Sequence, residues 1–170
     1  MIDKEGRKVP RFPVFKESVV RSEMLKMLLE EKAKHTGVIN GIASGACGGD
    51  IIFHELCEEI GIQTHMYIPL PPEEFKSKSV SFAGAEWDIR FERLTSKIPV
   101  HISDENFESN IWAGTNLLML KKAMEYGKGN TTLFALWDGK GGDGIGGSEH
   151  MVNSAKESDA EIKIIKIGNL

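Results

Sequence analysis

The stretch Thr36-Gly-Val-Ile-Asn-Gly-Ile-Ala-Ser-Gly-Ala-Cys-Gly-Gly-Asp50 decides the fold class. Thr36 to Ala43 is short and partly β-branched, which predicts a strand, and Ser44-Gly-Ala-Cys-Gly-Gly49 is where a strand must stop. Asp50 is placed to cap a helix over Ile51 to Ile60, and Gly61 supplies its C-terminal stop. A strand running through a glycine turn into a helix is the opening of a βαβ unit.

The same alternation extends outward in both directions. Upstream, Val19, Val20, Met24, Leu25, Met27, Leu28 and Leu29 recur at helical spacing over Lys16 to Lys34. Downstream, Gln63 to Ile68 reads as a strand closed by Pro69, Pro71 and Pro72. A short helix near Glu73 to Lys78, a longer one over Ala85 to Ser96 and a brief strand Val100 to Ser103 follow. After a loop from Asp104 to Ser109, Asn110 is placed to cap the helix Ile111 to Tyr126, which Gly127 ends. Thr131 to Trp137 is almost wholly apolar, as in a central parallel strand, and it empties into the loop Asp138 to Gly147, with six glycines in ten residues. A helix Glu149 to Glu157 and a strand Glu161 to Ile167 complete the chain.

This order predicts a single α/β domain over residues 1–170. The expected architecture is Rossmann-like and doubly wound, a mostly parallel sheet with helices on both faces. Ligands on such sheets sit beyond the carboxyl ends of the strands.

The 170 residues, 41% hydrophobic and 27% charged, are an ordinary globular balance. The net charge of -4 gives no general attraction to nucleic acid or anionic membrane, so neither is expected as a partner, and a small ligand is the better default. No apolar run approaches the roughly eighteen residues that span a bilayer. Cys47 and Cys57 form no CxxC or zinc spacing, so no metal or cofactor is expected and a cytoplasmic setting fits best.

Two turns carry the candidate chemistry. Ser44, Gly45, Cys47, Gly48 and Gly49 lie where backbone amides at a helix start can hold a phosphate, although tight turns also use glycine for steric reasons alone. Asp138, Gly139, Gly146, Gly147 and Ser148 repeat the arrangement after the later strand, with a flexible surface connection as the plainer reading. Asp50 and Asp138 are placed to accept from ribose hydroxyls or a base amine, and Arg90 is the candidate for a bidentate phosphate contact. Glu149 is the candidate acid or base for glycosidic chemistry; its plain alternative is a first-turn acid complementing the helix dipole. Cys47 before a helix suits a lowered thiol pKa if His54 or His150 is near, while burial would make it a packing residue.

Taken together, Arg11-Phe-Pro13, Ala46-Cys-Gly-Gly-Asp50, Ser79-Val-Ser-Phe-Ala-Gly84, Asn116-Leu-Leu-Met-Leu120, Leu136-Trp-Asp-Gly139 and Gly144-Ile-Gly-Gly-Ser-Glu-His-Met151 resemble the SLOG superfamily of Rossmann-like domains. That group includes DNA-processing proteins, cytokinin-activating phosphoribohydrolases and bacterial nucleotide sensors. The likeness is to a branch of sensor modules fused to TPR or cyclase parts. It implies binding of a nucleotide or ADP-ribose-like ligand, an associated effector domain and a homodimer. The hydrolases carry a PGGxGTxxE motif; Gly146-Gly-Ser148 matches part of it, but Ile145 replaces the proline and the later glutamate is absent. Related sequences open with a strand running into a Gly-His pair, so the fold is expected to lack its first strand. The expectations are therefore a ligand-binding sensor first, with an N-glycosidic hydrolase and a structural module as alternatives.

Overall fold

The computed structural model describes residues 1–8, 10–103, 110–139 and 146–167. The expected loop at 104–109 and the centre of the second glycine loop, 140–145, lie outside these residues. The chain forms two compact units, Met1–Ile102 and Ser103–Asn169.

In the first unit the order is α1 (Glu17–Lys34), β1 (Asn40–Ala43), α2 (Gly49–Glu59), β2 (Gln63–Ile68), α3 (Pro72–Ser79), α4 (Ala85–Thr95) and β3 (Val100–Ile102). The strands form one parallel sheet in the order β1-β2-β3, with Asn40 opposite Gln63 and Met66 opposite Val100. Alternation along β2 buries Thr64, Met66 and Ile68. Ile51, Ile52, Leu56 and Cys57 of α2 and Trp87, Phe91 and Leu94 of α4 are buried as well, and α2 packs on β1, β2, α1 and α4. Each such aliphatic side chain contributes about 1.5–3 kcal/mol on leaving water.

The second unit contains α5 (Ile111–Met124), β4 (Thr132–Leu136), α6 (Ser148–Glu157) and β5 (Glu161–Ile165). β4 and β5 pair in parallel, Thr132 opposite Glu161 and Leu136 opposite Ile165, and α6 packs on both strands and on α5. Asn110 caps α5 as its sequence predicts, its Oδ1 accepting from the amides of Trp112 and Ala113 at 3.0 and 3.1 Å.

The protein is thus a mixed α/β, Rossmann-like fold with parallel strands in a three-stranded and a two-stranded sheet. Among the described residues the first strand is β1, and no described helix is long and apolar enough to cross a membrane. Two boundaries differ from the sequence reading. β1 starts at Asn40 rather than Thr36, because its ladder with β2 begins at Gln63, and Val38 remains exposed. α2 starts at Gly49, so Asp50 lies inside its first turn instead of capping it; the position before the helix is Gly48, at φ +104°. A third concerns α1. Val20, Met24 and Leu28 form its buried stripe at i, i+4 spacing, whereas Val19 and Leu29 face water.

Candidate functional site

The turn after β1 is built from inside the first unit. His54, fully buried on α2, places Nε2 2.9 Å from the carbonyl oxygen of Ser44 and Nδ1 2.9 Å from Thr64 Oγ1. Cys47 donates its amide to Ser79 O at 3.0 Å and accepts from the Ile2 amide at 3.0 Å. Its side chain is completely buried, and burial pushes the thiol up to about 11. It is therefore the inert packing thiol, because an activated cysteine needs an exposed, electropositive setting. Cys57 is likewise pushed up to about 12 by burial.

A side chain on Gly45 would meet Met66 Sδ and Phe91 Cε2, each at 2.8 Å. At Gly48 a Cβ would fall 2.9 Å from the backbone nitrogen of Ile2 and 3.1 Å from the Phe12 ring, and the positive φ independently calls for glycine. Gly49 opens α2. Asp50 Oδ2 accepts from the Ala46 amide at 3.2 Å, and burial holds its carboxyl above the ordinary range. This turn is consequently filled on one side by Ile2 and Phe12.

Arg90 is held elsewhere in the same unit. Its Nε and Nη2 donate to the two Glu55 oxygens at 2.9 and 2.8 Å, and Nη1 donates to Glu17 at 2.7 Å. The guanidinium also lies 3.9 Å from the centre of the Trp87 ring. Burial opposes the Glu55 charge, but the hydrogen bonds and charges of Arg90 and then Arg21 outweigh it and hold the carboxyl below its ordinary value. The guanidinium fork thus joins α4 to α2 and α1, with its planar face on an aromatic ring.

The turn after β4 belongs to the second unit. Trp137 continues the ladder by donating to Ile165 O, half-buried Asp138 follows, and Gly139 lies exposed at φ +80°. The chain returns at Gly146, φ +98°, where a Cβ would sit 3.1 Å from the Ala113 amide nitrogen and 3.2 Å from Trp112 Cβ. Asn116 Nδ2 on α5 donates to Gly146 O at 2.8 Å and fixes this return. α6 then starts on Gly147 with no side-chain cap. Ser148 Oγ reaches only 3.5 Å from Leu136 O, and Glu149 stands in the first turn. The residue before α6 is thus Gly147, which has no side chain with which to cap the first-turn amides that point out of this helix end. Beside them, His150 Nδ1 is enclosed with no hydrogen-bond partner among the described residues.

The structure thus gathers Ser44, Gly45, Cys47, Gly48, Gly49 and Asp50 at one turn, and Gly146, Gly147, Ser148 and Glu149 at another. Asp138 and Gly139 mark the exit of β4. Sequence reasoning missed the ties made by His54 and Asn116. Asn116 carried a signal in the Asn116-Leu-Leu-Met-Leu120 motif, whereas the partners of His54 meet it only through the fold. Among the described residues no cluster of three or more histidine, cysteine or acidic side chains is arranged to hold a metal. No family model, curated protein or solved structure matches the chain.

Proposed function

We propose that this protein binds a nucleotide or nucleotide-derived ligand, a nucleoside phosphate or ADP-ribose-like compound, as a sensor, with a phosphate on the amides that open α6. The carrying observation is that helix start behind Gly147, which offers no side-chain cap, together with a glycine return pinned by Asn116 and a His150 Nδ1 that meets no partner among the described residues. A helix N-terminus after a parallel strand offers oriented amides and the positive end of the helix dipole to an anion. A buried polar nitrogen without a partner favours a site that a ligand completes. Ser148 and Glu149 extend the same surface toward ligand hydroxyls. At the turn after β1, the packing of Gly45 and Gly48 on neighbouring side chains and backbone favours a structural role for that turn.

Thermal unfolding against AMP, ATP, NAD and ADP-ribose tests the proposal. A ligand at about a hundred times its Kd adds about 2.7 kcal/mol. Ser148→Asp separates binding from folding, because a carboxylate at a helix start stabilises the helix by about 0.3–1 kcal/mol yet repels phosphate. The variant is expected to melt at or above the parent temperature and to lose the ligand shift. A parent chain that shifts with none of these ligands, or a variant that keeps the full shift, overturns the reading.

A further inference from the structure

We draw no further inference here: the strongest candidate, the half-buried histidine pair on neighbouring strands of the first unit's sheet, His65 of β2 and His101 of β3, carries none, because their ring nitrogens, 3.1 Å apart, already bond to each other and no third histidine, cysteine or acidic side chain among the described residues joins them to hold a metal.

Discussion

His54 Nε2 and the carbonyl oxygen of Ser44 stand 2.9 Å apart, and that contact fixes the protonation of the ring. A carbonyl only accepts, so Nε2 carries the hydrogen and Nδ1 accepts from the Thr64 hydroxyl 2.9 Å away. Burial lowers the pKa of His54 to about 4. The unfolded chain, with a histidine near 6.5, therefore takes up the proton first as pH falls. Stability from this group is present above about pH 6.5 and is lost on descending toward pH 4, by about 3 kcal/mol in all. Urea unfolding between pH 7.5 and 4.5 measures the slope. His54→Gln is expected to be less stable at pH 7.5 and to show a flatter profile; an equally steep one would assign the acid sensitivity elsewhere.

The Glu55 carboxylate, with only 10% of its side chain exposed, accepts from both Arg90 and Arg21. Removing one partner from such a buried pair leaves an uncompensated charge, so Glu55→Ala is expected to cost about 3–5 kcal/mol. Glu58 pairs with Arg93 and Lys97 at the surface, and Glu58→Ala is expected to cost less than about 1 kcal/mol. Replacing the pair together, Glu55→Leu with Arg90→Met, is expected to recover much of the loss. Chemical denaturation of the three variants decides this, and equal costs at Glu55 and Glu58 would refute the ranking.

Gly48 and Gly139 share a positive φ but differ in surroundings. Gly48→Ala meets the backbone of Ile2, whereas a Cβ at Gly139 meets no atom of the described residues within 4 Å. At Gly139 the conformational cost of about 1–2 kcal/mol is expected. Gly48→Ala is expected to exceed it and to loosen the Ile2 contact, readable as faster amide exchange at Ile2.

Order and type of the elements were legible because local rules set them. Asn110 caps, Pro72 occupies the first turn of α3, and Gly61 and Gly127 take the positive φ that follows a helix. Strand ends were less legible, since β1 begins where Gln63 is available to pair with Asn40. The glycines of the first turn were legible as a turn, but their reasons come from Met66, Phe91 and Ile2, which meet them only in the folded unit. Arg90 shows the same limit. Its charge and aromatic neighbour were visible, while its partner Glu55 lies 35 residues away in sequence.

The grip of Asn116 on Gly146 allows folding and binding to be separated on α5. Asn116→Ala removes one hydrogen bond to a carbonyl, worth about 1 kcal/mol, and frees the return of the glycine loop. Asn110→Ala removes the cap of the same helix at a similar cost of about 1 kcal/mol, and the bonds it removes run to the amides of Trp112 and Ala113 rather than to Gly146. If the amides of α6 hold a phosphate, the two variants melt alike but bind differently: Asn116→Ala loses nucleotide affinity severalfold and Asn110→Ala keeps it. A melting curve and a binding isotherm on each supply the comparison. Equal affinities would make Asn116 a purely structural tie, and an equal loss in both would mean that binding follows the stability of α5 rather than the shape of the turn.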